Sequence, residues 1–112
     1  ASISNVEVPT MIFDEVDAGI GGATSEKVGQ KLKQLSKKHQ VICITHLAQI
    51  AKYAQNQFRI SKNVINGRTF TTIVPLAEEN ARIEEIARMI GGAHITDATL
   101  THARELLEQA SS

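Results

Sequence analysis

Two short apolar runs near the start of the chain have the pattern of buried strands. The first is Thr10–Phe13, which Asp14 and Glu15 follow directly, and the second is the β-branched run Val41–Thr45. Continuous apolar runs of this length are typical of strands that are buried on both faces of a parallel sheet. We therefore expect both runs to be strands of one sheet.

The segment between these strands predicts an amphipathic helix. We expect Thr24 to cap the helix and Lys38 to lie near its end. Its apolar face, with residues at helical spacing, consists of Val28, Leu32 and Leu35. Strand, helix and strand in this order predict a βαβ unit with parallel pairing and a right-handed crossover.

The same helix carries five lysines, which are Lys27, Lys31, Lys33, Lys37 and Lys38. Glu26 and glutamines interleave with them, and no aromatic residue does. We therefore interpret them mostly as a solvated basic face rather than as a DNA-binding patch.

The second half of the chain predicts a hairpin and further helices. Asn66-Gly67 is a strong turn signal between the alternating runs Gln57–Lys62 and Arg68–Val74, and the long connection predicts a bulge. The predicted helices cover Leu47–Tyr53, Glu78–Ile90, which Gly91-Gly92 ends, and Thr96–Gln109, which Thr96 caps. Arg82 and Arg88 are interpreted as surface ion-pair members near Glu84 and Glu85.

Composition narrows the class of protein. The chain has 112 residues with 12 basic and 12 acidic side chains, so its formal net charge is zero. One domain at most is expected, and neutrality disfavours a free-standing nucleic-acid binder held by phosphate contacts. No apolar run is long enough to span a bilayer, so no membrane is expected. The single cysteine, Cys43, is interpreted as a buried thiol in a reducing, cytoplasmic compartment.

Polar residues follow both predicted strands where each strand ends. Asp14, Glu15 and Asp17 follow the first, and His46 follows the second. Because parallel strands end at the same sheet edge, we expect these side chains to converge there. Two acids and a histidine suit a hydrated metal, a general base and a sensor of a bound anion. Each feature alone is more often a solvated turn or a cap, so the joint placement carries the hypothesis.

Three blocks of sequence resemble a known family. Thr10–Gly22 (Thr-Met-Ile-Phe-Asp-Glu-Val-Asp-Ala-Gly-Ile-Gly-Gly) resembles the Walker B motif and D-loop of ABC-type ATPase heads of the SMC-like branch. Val41–Ala51 resembles the switch-histidine strand of these heads. Ala81–Gly92, together with Thr99–Leu107, is similar to the C-terminal part of bacterial DNA-repair members of that branch. The resemblance implies an α/β fold, namely part of a P-loop NTPase head, with a parallel βαβ unit, a hairpin and two C-terminal helices.

The resemblance also implies roles for individual residues. Asp14 would hold Mg²⁺, Glu15 would polarise the attacking water as the general base, and His46 would contact the γ-phosphate of ATP. The loop that meets a second head across the nucleotide would contain Asp17, Ala18, Gly19 and Gly21. Gly21 stands where many such loops have an aspartate, which favours backbone contacts over side-chain contacts there.

The motifs that bind most of the nucleotide in this family are absent from the sequence. It has no Gly-x-x-x-x-Gly-Lys-Ser/Thr phosphate loop and no Ser-Gly-Gly signature segment. Residues 1–112 therefore resemble the C-terminal half of a head, and the isolated chain is expected to be inactive. The implied partners are the N-terminal half of the same head, a second head in a homodimer, and DNA at the bacterial nucleoid.

In ABC-type heads the strand of the phosphate loop lies between the strand that carries the switch histidine and the first hairpin strand. We therefore expect Val41–Thr45 either to pair directly with the hairpin or to associate with another copy through its open edge.

Two other functions stay open at this point. One is a small metal-dependent hydrolase that uses Asp14, Glu15, Asp17 and His46, although the spacing matches no zinc pattern. The other is a non-catalytic interaction module in which the two C-terminal helices dock partners.

Overall fold

The computed structural model describes residues 10–14 and 22–111. The elements within these ranges are β1 (Thr10–Asp14), α1 (Gly22–Leu35), β2 (Gln40–Ile44), α2 (Ala48–Ala51), β3 (Phe58–Ile65), β4 (Arg68–Pro75), α3 (Glu79–Gly91) and α4 (Asp97–Ser111). A parallel strand pair, an antiparallel hairpin and helices around them make a mixed α/β fold. The predicted fold class and order of elements are confirmed.

Strands β1 and β2 pair in parallel, as predicted, from Thr10 opposite Gln40 to Asp14 opposite Ile44. Burial on both faces, however, was a wrong prediction for the described residues. Burial alternates along both strands, and α1 packs against β2. The uncovered face carries apolar side chains that are 42–67% exposed, namely Ile12, Ile42 and Ile44. Cys43 lies on the other face and is half-buried rather than buried.

Helix α1 begins two residues before the predicted cap, so Thr24 lies in its first turn. The start was misplaced because a threonine is a preferred N-cap residue, and the sequence alone does not distinguish a threonine at the cap from one within the first turn. The helix ends at Leu35 in a tightened turn, where the Ser36 hydroxyl donates to the Lys33 carbonyl over 2.6 Å. The predicted basic face is solvated, since Lys27, Lys31, Lys37 and Lys38 are exposed.

Strands β3 and β4 form a hairpin with the two-residue turn Asn66-Gly67. Ile65 lies opposite Arg68, so the register runs without the predicted bulge, because β3 continues through the segment that was expected to be loop. Asn66 and Gly67 both have positive φ, at 52° and 77°, as the tightest hairpin turns require.

The hairpin does not pair with β2, so the predicted direct pairing is wrong within the described ranges. After α2 the chain runs toward α3, where Arg82 donates a hydrogen bond to the Lys52 carbonyl. The backbone groups of β3 and β4 then form hydrogen bonds with each other and not with β2. Association of the β2 edge with another copy stays a prediction.

The hydrophobic core lies where α2, α3 and α4 meet. It contains small and branched side chains, which are Ala48, Ala51, Ile83, Ile86, Ala87, Ala103 and Leu106. Gly92, with φ 69°, ends α3, and its amide donates to the Arg88 carbonyl over 2.8 Å. The predicted cap of α4 is confirmed, since the Thr99 amide donates to the Thr96 hydroxyl over 3.2 Å. None of the helices in the described ranges could span a membrane.

Candidate active site

The parallel register places two of the predicted site residues at one sheet edge. Asp14 is the last residue of β1 and lies opposite Ile44, the last residue of β2. His46 follows two residues later, and both Asp14 and His46 are exposed. Glu15, Asp17, Ala18, Gly19 and Gly21 lie outside the described residues, so their predicted roles stay predictions.

A local turn changes the direction of the backbone at His46. The Leu47 amide donates to the Thr45 hydroxyl over 3.0 Å, which bends the backbone directly around His46. Helix α2 begins one residue after Leu47 and buries Ala48, Ile50 and Ala51. The position of His46 therefore depends on how α2 is held.

Helix α1 holds α2 through a charged cluster formed by Glu26, Lys52 and Tyr53. The Lys52 ammonium lies 2.8 Å from a Glu26 carboxylate oxygen, and its side chain is only 3% exposed. The Tyr53 hydroxyl donates to the other Glu26 oxygen. The Lys52 ammonium also lies 5.2 Å from the centre of the Tyr53 ring, within cation–π range. We call these three residues the α1–α2 cluster.

The charges in the α1–α2 cluster change two pKa values in opposite directions. Burial raises the pKa of Glu26, but hydrogen bonds from Lys52 and Tyr53 and the Lys52 charge outweigh it, so the net shift is downward. Burial raises the pKa of Tyr53, and its hydrogen bond to the Glu26 carboxylate raises it further. At neutral pH the cluster is therefore a carboxylate between an ammonium and a neutral phenol.

Helix α3 holds the same C-terminal end of α2 through Arg82. Its guanidinium donates to the carbonyls of Lys52 (3.1 Å), Ala51 (3.4 Å) and Ala54, and to the Gln57 side-chain oxygen over 3.1 Å. Burial lowers the pKa of Arg82. The prediction that Arg82 is a surface ion-pair member was wrong, because backbone carbonyls at the end of a short helix need donors and this side chain supplies them.

Arg88 behaves as predicted. It makes two hydrogen bonds to the Glu85 carboxylate, 2.8 Å and 2.5 Å long, and these bonds raise the pKa of Arg88. Glu85 is itself buried, so the pair neutralises a carboxylate on the inner side of α3.

Sequence reasoning missed the α1–α2 cluster and Arg82, although two signals were present. Glu26 is the only acid in a helix with several lysines. Lys52 lies in a short run of small and aromatic residues, Ala51 to Ala54. An isolated charge in each of two neighbouring elements is the pattern of a buried ion pair.

The fold has a counterpart among solved structures. A chain from a structural study of ATP-driven dimerization and DNA-stimulated activation of SMC ATPases matches with a TM-score of 0.53 and 25% identity. The match covers 74% of this chain and 50% of that one. The class indicated by the sequence motifs, an SMC-like ATPase head, is thereby confirmed for the fold.

Curated relatives identify the branch of that class. The chain is 51% identical over 102 residues to the DNA repair protein RecN of Xylella fastidiosa strain Temecula1, which covers 91% of this chain and 18% of that protein. RecN of Haemophilus influenzae is 43% identical over 90% of this chain, and RecN of Bacillus subtilis is 43% identical over 96% of it. Each match again covers 18% of the relative. No family model matches the chain.

The chain is therefore a RecN-like sequence that spans about one fifth of the length of the curated relatives it matches. The resemblance stated from the Walker B, switch-histidine and C-terminal blocks is confirmed.

Proposed function

We propose that the chain is part of the ATP-hydrolysing head of a RecN-like DNA-repair ATPase. The observation that carries this proposal is the register of β1 and β2, which brings Asp14 and His46 to the same sheet edge. Phosphoryl transfer depends mainly on positioning and on charge stabilisation, so a carboxylate and an imidazole held at one edge suit it.

The residues at this edge fit Mg²⁺ and ATP. Magnesium in nucleotide sites is usually held by one or two carboxylates together with phosphate oxygens and water, and Asp14 offers an exposed carboxylate at a strand end. Bound Mg²⁺ would neutralise charge that develops on the phosphates. Asp14 would hold the ion, His46 would donate to the γ-phosphate, and Glu15 would accept a proton from the attacking water. Asp17, Ala18, Gly19 and Gly21 would contact a second head.

Exposed apolar side chains on both strand pairs support the proposal that this chain is only part of a head. Ile12, Ile42 and Ile44 are exposed on the parallel pair, and Phe58 and Ile73 are 56% and 62% exposed on the hairpin. Contiguous apolar surface of this kind normally packs against other protein. We propose that the N-terminal half of the head, with its phosphate loop, covers these faces, that residues 1–112 form the C-terminal half, and that DNA and a second head are partners of the whole protein.

Glu15→Gln, made in the whole protein, tests the assignment of the base. ATP binding should persist while hydrolysis falls by at least about 100-fold, the contribution of a positioned general base. Glu84→Gln, an exposed acid on α3, is the matched control and should hydrolyse ATP at the normal rate. Normal turnover in the Glu15 variant would refute the role of Glu15.

The isolated 112-residue chain tests the division of the head. Without phosphate-loop amides and lysine it should bind ATP too weakly for titration calorimetry to resolve and should not hydrolyse it. Micromolar affinity would contradict the proposal. Stoichiometric, tight metal binding by the isolated chain would instead favour the alternative of a small metal-dependent hydrolase that uses Asp14, Glu15, Asp17 and His46.

A further inference from the structure

Helix α1, the turn after it and the end of α4 border an open basic concavity of about 550 Å³, which we call the lysine cleft. Four lysines line it, namely Lys27, Lys31, Lys33 and Lys37, and no acidic residue does. Lys33 donates to the Ala110 carbonyl, which fixes the wall between the two helices. The other three lysines are exposed, and none makes an ion pair within the described ranges.

The charge of the chain is uneven in the same region. Residues 22–39 hold five lysines and one acid, so this segment carries an excess of four positive charges in a chain that is neutral overall. An excess of this kind, on α1 and the turn that follows it, creates a local positive potential that attracts polyanions. Among residues 10–14 and 22–111, no acid forms an ion pair with these three exposed lysines, which distinguishes them from Lys52 in the α1–α2 cluster.

We propose that the lysine cleft binds the phosphate backbone of duplex DNA. Lys27 and Lys31 lie one turn apart on α1, about 6 Å along its axis, and Lys37 follows in the turn after the helix, so three exposed cations line one cleft and can each contact a phosphate. Gln30 and Gln34 line the cleft between the lysines and offer amide donors, which are common partners of phosphate oxygens. Contacts of this type position DNA without reading its sequence.

The aromatic residue that was absent from the helix sequence is supplied by a neighbouring element. Tyr53 lines the cleft from the segment that follows α2, and the Lys33 ammonium lies 5.9 Å from the centre of its ring. Tyr53 also belongs to the α1–α2 cluster, so one lining residue of the cleft takes part in the contacts that hold α2, the helix after His46. DNA in the lysine cleft would therefore lie against the same support that positions His46.

The choice of DNA as the polyanion rests on the proposed function, but the test does not depend on ATP. Fluorescence anisotropy with a short mixed-sequence duplex, at low salt and without nucleotide, measures binding by the 112-residue chain. The triple variant Lys27→Gln, Lys31→Gln and Lys37→Gln should bind at least about tenfold more weakly, and the slope of log affinity against log salt should fall by about 2.7. Arginine at the same three positions should restore binding, which separates charge loss from a folding defect.

A charge-matched control removes three exposed basic residues of the hairpin, with Arg59→Gln, Lys62→Gln and Arg68→Gln. This variant should keep its affinity for DNA within about twofold, because affinity depends on the number of phosphates that basic side chains contact and not on the net charge of the chain. Equal losses in both triple variants would overturn the proposal, as would unchanged binding in the cleft variant or no binding by the normal chain. Displacement of DNA by inorganic phosphate at constant ionic strength would also overturn it, since that result indicates a small-anion site. Failure of this test leaves the ATPase proposal intact, and loss of the Glu15 assignment leaves this one intact.

Discussion

Arg82 offers the sharpest test of how the His46 segment is held, because one side chain serves four acceptors. Replacing it with methionine keeps much of the aliphatic contact and removes every donor. The carbonyls of Ala51, Lys52 and Ala54 and the side chain of Gln57 then lose a charged partner. We expect Arg82→Met to destabilise the fold at the end of α2 first.

The magnitude follows from the hydrogen bonds. A bond to a charged group contributes about 1.5–3 kcal/mol. Arg82 is only half-buried, so water can replace part of the lost contacts, and we count the equivalent of two bonds at the lower value. The expected loss in the free energy of unfolding is therefore about 3 kcal/mol, a large share of the 5–15 kcal/mol typical of small domains.

Urea unfolding followed by circular dichroism measures this loss, and the thermal midpoint should fall by at least about 12 °C. Arg82→Lys should lie between the two, because an ammonium cannot reproduce the planar fork of donors. Arg104→Met, at an exposed position on α4, is the matched control and should change stability by less than about 0.5 kcal/mol. A change of that small size in Arg82→Met would refute the idea that Arg82 anchors α2.

Four further predictions concern the α1–α2 cluster and the helix position next to it. Glu26→Gln should cost about 2 kcal/mol at neutral pH in urea unfolding, since it leaves a buried ammonium unpaired, whereas the exposed Glu84→Gln should cost almost nothing. Because the folded pKa of Glu26 is lowered, its contribution is present above pH 4.5 and lost as pH falls through the folded pKa, so Glu26→Gln should flatten the acid side of the stability profile. Tyr53 is the only tyrosine, so phenolate absorbance should titrate above pH 10.0 in the normal chain and closer to that value in Glu26→Gln; an unmoved midpoint would contradict the hydrogen bond. Gly29→Ala should destabilise by about 1–2 kcal/mol in thermal unfolding, since the added methyl would lie 2.5 Å from the Tyr53 ring, whereas Gly91→Ala, with its nearest contact at 3.3 Å, should be close to neutral.

Local sequence patterns predicted the elements that local physics determines. The turn at Asn66-Gly67 needs two positive φ angles, and the cap at Thr96 needs one hydroxyl, so neighbouring residues suffice to find them. The parallel pairing of β1 and β2 followed from the order of the elements. The turn and the cap depend only on neighbouring residues, whereas the pairing joins distant residues and was predicted from the general rule for a strand–helix–strand unit.

Contacts between distant residues explain what the sequence did not show. Glu26 and Lys52 are 26 positions apart, and although each stands out as an isolated charge, no local pattern indicates which charge pairs with which. Arg82 was misassigned because the acids next to it in sequence suggested a surface pair, whereas its partners lie on the segment after α2. At the candidate site, Asp14 and His46 were placed correctly at one edge, and Glu15 stays a prediction from the motif.

The hairpin also bears on how the chain assembles. Its strands join neighbours in sequence through a two-residue turn, and hairpins of this type close in about 1–10 μs. The parallel pair must instead bring together residues 30 positions apart. Closing this loop costs conformational entropy before the strand contacts form to offset it. The hairpin should thus be an early and local folding unit, and the sheet edge that carries Asp14 and His46 should form late. Pulse-labelling hydrogen exchange would then protect the amides of β3 and β4 before those of β1 and β2.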